Sequence, residues 1–247
     1  MKVYHVVYEP DYESLDVHFW LPCNLRCRAC YTRYEILDFG LFKDPIKHIA
    51  TKAPVEPPVH FYNLPDIRDA LKEIDVRCAI FMGTEPALDP EMPYLAEYLK
   101  REKGSYNIML TNGLKMADLN YIDELIFSLK AFTPALHRAY TGRDNSRILR
   151  HFSELYAAGQ KLQAETVLIP GLIEADEVEK VAQFVASVSP DIILRIDAYF
   201  PVGDNIWRAA SRQEVEEAAA RARRYVHQVS CLTLDMQRMG KPPIQIL

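Results

Sequence analysis

The stretch Val17-His18-Phe19-Trp20-Leu21-Pro22-Cys23-Asn24-Leu25-Arg26-Cys27-Arg28-Ala29-Cys30 carries a largely apolar run straight into three cysteines. Their Cys-x3-Cys-x2-Cys spacing puts three thiolates on one tight loop, one fewer than a closed structural zinc site or an ordinary ferredoxin-type cluster needs. A metal held this way keeps an open position. In a 4Fe–4S cluster, an open iron is the arrangement that binds a small chelating ligand and passes it one electron.

Outward from this loop, short apolar runs recur at 15–21, 78–82, 107–110, 125–129, 166–169 and 192–196. They are too short for helices and read as buried parallel strands. Amphipathic helices fall between them: Ile67, Leu71 and Ile74 share one face, as do Ile148, Phe152 and Leu155, and Val178, Val181, Ala182, Val185 and Val188. Asp89-Pro90 marks a helix start, Gly104 and Gly159 mark helix ends, and Ser211-x-x-Glu214 reads as a capping box. Six βα units predict an α/β fold, a partial (β/α)6 TIM-type barrel with a short N-terminal extension and a C-terminal helix. The expected organisation is one domain over 1–247, with the barrel at about 14–203, a long loop or lid at 32–64 and a helical extension at 204–247. The site of such a barrel lies at the C-terminal ends of its strands.

Further motifs sit at those ends: Met82-Gly83-Thr84-Glu85-Pro86, Leu110-Thr111-Asn112-Gly113, Ser128-Leu129-Lys130-Ala131, Thr141-Gly142 with Asn145, and Ile169-Pro170-Gly171. Together with the cysteine loop, and over about residues 14–203, this series resembles the radical S-adenosylmethionine (SAM) superfamily. Within it, the series is similar to the branch that activates glycyl-radical enzymes of the pyruvate formate-lyase type. The resemblance implies a 4Fe–4S cluster on Cys23, Cys27 and Cys30, with SAM chelated at the fourth iron. Reductive cleavage of SAM would give a 5'-deoxyadenosyl radical that takes hydrogen from an unassigned substrate, a protein glycyl residue or a small molecule. It also implies an electron donor of the flavodoxin or ferredoxin type. Glu85, with the backbone of Gly83 and Thr84, would accept from the SAM ammonium group, and Thr111 and Lys130 would meet its carboxylate. Arg195, Asp197 and Tyr199 alternate with apolar neighbours and would face the lumen, toward SAM or substrate.

The chain departs from that branch in places. Ala29 stands before the third cysteine where an aromatic residue is usual, with Tyr31 one place beyond. Leu110 and Ser128 stand where the branch has Asp, and 199–203 contains no His. These departures leave the radical chemistry intact and loosen the tie to a glycyl-radical partner.

Other readings of the same residues stay open. The three cysteines suit a zinc site completed by a distant His or Cys, and a non-catalytic iron–sulfur or zinc protein would keep the same fold. Glu85 and Thr84 would also cap the helix that follows them. Lys130 would snorkel at a strand end, and Arg195 and Asp197 would pair with each other. Cys78 and Cys231 read as small core residues. The Pro-rich segment 32–64 would cover the barrel mouth, which favours a metabolite or short peptide, or pack outside it, leaving a slot for the loop of a large protein. His48 and His60 are too isolated to read as ligands.

The 247 residues carry a net charge of −5, which argues against extended nucleic-acid binding. The basic run Arg221, Arg223, Arg224 reads as a solvated helix face paired with Glu214, Glu216 and Glu217. No signal-peptide or membrane-spanning stretch is evident, and five cysteines, three of them in one loop, suit a reducing compartment. A cytoplasmic protein without membrane partners is expected.

Overall fold

A computed structural model describes residues 1–49, 52–236 and 240–247. Its strands are β1 (Val3–Glu9), β2 (Ser14–Phe19), β3 (Cys78–Gly83), β4 (Tyr106–Thr111), β5 (Glu124–Ser128), β6 (Lys161–Leu168), β7 (Ile193–Ala198), β8 (Val229–Leu232) and β9 (Ile244–Gln245). The helices are α1 (Pro45–Ile49), α2 (Leu64–Ala70), α3 (Met92–Tyr98), α4 (Pro134–Thr141), α5 (Ser146–Ala157), α6 (Ala175–Val188) and α7 (Arg212–Ala222).

Strands β2 to β8 lie side by side in chain order, every neighbouring pair parallel, while β1 pairs antiparallel with β2 and β9 antiparallel with β1. This unreversed order is that of a singly wound barrel. The sheet does not close, because β8 and β9 are its edges. All six expected strands are present, and β8 is a seventh parallel one. The segment 204–247 is therefore more than helical: α7 leads back into the sheet, and β9 completes its other edge. The expected βα rhythm fails once, since 112–123, between β4 and β5, contains no helix.

One face of the sheet is sealed by helices. Ala79, Phe81, Met109, Phe127 and Leu194 point into that layer and are fully buried, against Leu95, Phe152 and Val181. The opposite face carries Ser128, Glu165, Arg195 and Asp197. It curls on itself, as two adjacent residues demonstrate. His18 Nε2 on β2 lies 2.9 Å from Asp38 Oδ2, and the ring of Phe39 packs on Phe200, just past β7, at 5.4 Å. In a flat sheet those two places would be about 24 Å apart, five strand spacings of ~4.8 Å. The polar face is thus the concave wall of a partial barrel.

The segment 32–64, expected as a long loop or lid, contains α1 and short 3-10 turns at Tyr31–Arg33 and Phe39–Leu41. It forms a strap across the barrel mouth. Tyr34 donates to Asp204 at 2.9 Å and packs against Gly203, where an added Cβ would fall 1.9 Å from its ring. Buried Glu35 meets His48 at 2.6 Å and pairs with Lys52, so His48 serves a hydrogen bond within the strap.

Local chemistry explains the helix limits. Asn63 and Asp66 form a capping box for α2, which stops before Leu71 and leaves Ile74 beyond it, and Ser211 and Glu214 form the expected one for α7. Arg221 and Arg224 pair across to Glu179 of α6, not within their own helix. Cys231 packs against the core from β8, and Cys78 is half-buried at the start of β3. Among the described residues no helix is long and apolar enough to cross a membrane.

Candidate active site

The site is assembled where the ends of β2, β3 and β4 meet. Gly83 has φ +118° and touches β2 so closely that a Cβ would stand 2.2 Å from the Phe19 carbonyl oxygen. Only glycine fits this approach. The next residue clamps the two strand ends together. Thr84 N–H donates to Phe19 O at 3.0 Å, while its hydroxyl donates to Leu21 O at 2.8 Å and accepts from Leu21 N at 2.9 Å. The Thr84 side chain is thereby committed to holding the start of the cysteine loop.

Glu85 is 1% exposed. Its carboxylate accepts from the Thr111 hydroxyl at 2.7 Å, the Asn112 amide at 2.8 Å and the Ala87 amide at 3.3 Å. The last of these is the capping contact expected for the turn Pro86–Leu88; the other two bind the ends of β3 and β4. Burial pushes the Glu85 carboxyl up to about 7, against the lowering effect of the same three donors.

Asn112 joins this carboxylate to the cysteine loop. Its side-chain amide donates to Asn24 Oδ1 at 2.7 Å and lies 3.6 Å from Cys23 Sγ. The far side of the loop rests on α4, with Arg26 N–H donating to Thr141 O at 2.8 Å and Arg28 N–H to Tyr140 O at 3.1 Å. Gly142 ends α4 in the left-handed conformation, and the Asn145 side chain donates to Ala131 O and Phe132 O at 3.0 and 2.6 Å. The Thr-Gly and Asn positions thus brace the loop and its neighbours.

Cys23, Cys27 and Cys30 are all free and half-buried. Burial pushes the Cys27 thiol up to about 12 and raises that of Cys23, while Lys130 lowers both. Lys130 stands amid charge of opposite sign: burial lowers its pKa, but Glu165, Cys27, Cys30 and Asp197 raise it by more. Cys30 Sγ lies 3.0 Å from the Thr32 hydroxyl. Among the described residues no three His, Cys, Asp or Glu side chains stand at the spacing of ligands to one ion. A 4Fe–4S cluster binds each thiolate to a different iron and needs no such convergence. Three free thiols on one loop are a donor set that fits it.

On the concave wall Arg195 bonds Glu165 and lies 3.0 Å from Asp197, and Ser128 donates to Glu165 at 3.0 Å. Burial, reinforced by Glu165 and opposed by Arg195, raises the Asp197 carboxyl to about 6. The expected Arg195–Asp197 pair is therefore part of a larger set with Lys130. Tyr31 reaches into the same space; burial raises its hydroxyl pKa, and Cys30, Tyr4, Asp38 and Glu165 add to the rise. Asn112 and Glu165 were not singled out from the sequence. Asn112 sat inside a motif valued for Thr111, and Glu165 lies one residue before the stretch read as the fifth strand.

Comparison with known proteins agrees with this geometry. The family profile described as the radical SAM superfamily matches residues 20–185. A candidate glycyl-radical enzyme activating enzyme of Methanocaldococcus jannaschii is 26% identical over 231 residues, 89% of this chain and 80% of the relative. Among solved structures, a domain of pyruvate-formate lyase-activating enzyme from Bacteroides vulgatus superposes with a TM-score of 0.51 at 20% identity, over 62% of this chain and 96% of the domain. SuiB of Streptococcus suis superposes with a TM-score of 0.63 at 14% identity, over 90% of this chain and 48% of SuiB, so the chain spans about half of that protein. SuiB is also solved with SAM and with its precursor peptide SuiA. The chain belongs to the radical SAM superfamily and is an enzyme of that family, whose cofactors are a 4Fe–4S cluster and SAM.

Proposed function

We propose that this protein cleaves SAM reductively at a cluster held by Cys23, Cys27 and Cys30 and directs the resulting radical at a substrate in the barrel lumen. The observation that carries this reading is Asn112, which ties buried Glu85 to the cysteine loop through contacts at 2.8 and 2.7 Å. When bound, the cluster and SAM together supply one-electron cleavage to a 5'-deoxyadenosyl radical and hydrogen abstraction.

The chain's own residues do the positioning. An ionised carboxylate offers about four acceptor sites, and Thr111, Asn112 and Ala87 use three of those on Glu85. The remaining site, with the backbone carbonyls of Gly83 and Thr84, suits the SAM ammonium group. Thr111 spends its hydroxyl hydrogen on Glu85, which leaves Lys130 as the cation for the SAM carboxylate. Arg195, Asp197 and Glu165 line the wall that substrate or the nucleoside would touch. The strap keeps water from that wall. An electron donor of the flavodoxin or ferredoxin type completes the scheme.

For the substrate, the relative from M. jannaschii supports a protein glycyl residue. The strap supports another class, because Tyr34, Phe39 and Asp38 cross the mouth that a large protein's loop would enter. A metabolite or short peptide fits beneath it. SAM titrated into the reconstituted protein tests the shared part: Lys130→Met and Glu85→Ala should each weaken binding at least tenfold. Unchanged affinity in both variants would sink these assignments.

A further inference from the structure

Lys130 Nζ has no hydrogen-bond or ion-pair partner among the described residues, although Glu165, Cys27, Cys30 and Asp197 act on it electrostatically. Where its long side chain reaches is therefore set by the backbone that carries it. That backbone belongs to neither strand nor helix, since β5 ends at Ser128 and α4 starts at Pro134. On the near side of Lys130 the sheet still holds it, with Leu129 N–H donating to Glu165 O at 2.7 Å. On the far side, buried amides and carbonyls need partners from elsewhere. Asn145 meets the carbonyls of Ala131 and Phe132. The amides of Phe132 and Thr133 go to Glu177.

Glu177 stands in the first turn of α6, in the helix layer, and is 3% exposed. Its Oε1 accepts from Phe132 N at 2.8 Å and from Thr133 N at 2.6 Å, and its Oε2 accepts from the Thr133 hydroxyl at 2.7 Å. Lys180, one turn along α6, donates to the same carboxylate at 3.0 Å. Burial raises the Glu177 carboxyl pKa, but Thr133 and Lys180 lower it by more. The Phe132 ring also packs on Phe184 of α6, at 5.9 Å. A carboxylate taken out of water is costly unless it is bonded, and outside its own helix every bond of this one goes to the stretch just after Lys130. We propose that Glu177 is a positioning residue for SAM, fixing the backbone from which Lys130 reaches the SAM carboxylate. The inference rests on the assignment of Lys130 made above and deepens it. Glu177 acts through Phe132 and Thr133, from behind the wall that SAM would touch. It does for the end of β5 what Glu85 does for the end of β4, where Thr111 and Asn112 donate to a buried carboxylate.

The test measures SAM binding to the reconstituted full chain by equilibrium dialysis, at matched iron content. Four proteins form a cycle: the unaltered chain, Glu177→Ala, Lys130→Met and the double variant. Glu177→Ala should weaken binding about tenfold where Lys130 is present, and by less than about twofold in the Lys130→Met background, where there is no lysine left to misplace. Glu177→Gln keeps a carbonyl oxygen for both amides and should stay within about threefold of the unaltered chain. If the alanine variant does not retain iron, Glu177→Asp, still charged but one methylene short, takes its place in the cycle, and its loss of affinity should likewise vanish in the Lys130→Met background. Equal affinity in the unaltered chain and the Glu177 variant would overturn the inference. So would the same loss in both backgrounds, which is what a general loosening of the fold would give. Failure of the underlying assignment looks different: Lys130→Met alone would leave SAM affinity unchanged.

Discussion

The backbone amide of Asn112 donates to Glu85 Oε2 at 2.8 Å, so the residue that follows β4 holds the carboxylate that follows β3. The same asparagine reaches Asn24 and the sulfur of Cys23 with its side chain. Three segments far apart in the chain are fixed to one another through this residue. Asn112→Ala keeps the backbone bond to Glu85 but loses the side-chain bonds to Asn24 and Leu114, and should lower stability by about 1–2 kcal/mol, the worth of two or so part-buried hydrogen bonds. It should also lower the iron retained after reconstitution. Urea unfolding and an iron count on the same preparation check both.

Glu85 carries a pH signature. Its folded pKa of about 7 lies above the ordinary 4.5, so the stability it contributes is fully present below 4.5 and is lost as pH rises to 7. Asp197, raised to about 6, acts with the same sign. The cluster-free protein should be less stable to urea at pH 8 than at pH 5 as far as these two groups are concerned. Glu85→Gln should make that difference smaller without abolishing it, because Asp197 remains. An identical difference in the two proteins would contradict the assignment.

Gly83 and Gly104 both have positive φ, but only Gly83 faces a backbone atom. Gly83→Ala should cost about 2–4 kcal/mol, because strain and collision with Phe19 O add together, and should loosen the cysteine loop. Gly104→Ala, with nothing within 4 Å of the added carbon, should cost only about 1 kcal/mol. Thermal unfolding of the pair gives the comparison directly.

The strap is held to the far wall by Tyr34 on Gly203 and by its bond to Asp204. Tyr34→Ala should release it while leaving the sheet intact. Limited proteolysis should then cut within 32–64 severalfold faster, with melting shifted by only a few degrees. Equal cleavage rates would mean that Tyr34 does not hold the strap closed.

Much of this was legible in the sequence, for identifiable reasons. Strands β2 to β7 announce themselves because each sets a short cluster of apolar residues on the face that the helices cover, even where polar residues alternate with them as in β7. Strand β8, Val229-Ser230-Cys231-Leu232, is half-exposed and alternates, and β9 is two residues long and depends on β1 at the other end of the chain. Neither carries a local signal. The strap was invisible as structure because Tyr34, Asp38 and Phe39 find their partners on β2 and beyond β7, contacts that exist only once the sheet has curled. The cysteines, Gly83 and Glu85 were legible as a motif. That Thr84 spends its hydroxyl on Leu21, and that Asn112 links Glu85 to Cys23, are matters of geometry.

The most direct test of the central claim is anaerobic. The cluster is reconstituted, dithionite and SAM are added, and 5'-deoxyadenosine is quantified beside a Cys27→Ala control and an iron count. The account predicts nucleoside from the unaltered chain, and none from the variant, which lacks one of three thiolates. A full complement of iron with no nucleoside and no SAM binding by titration would contradict it, and would favour a protein that kept this fold without the chemistry.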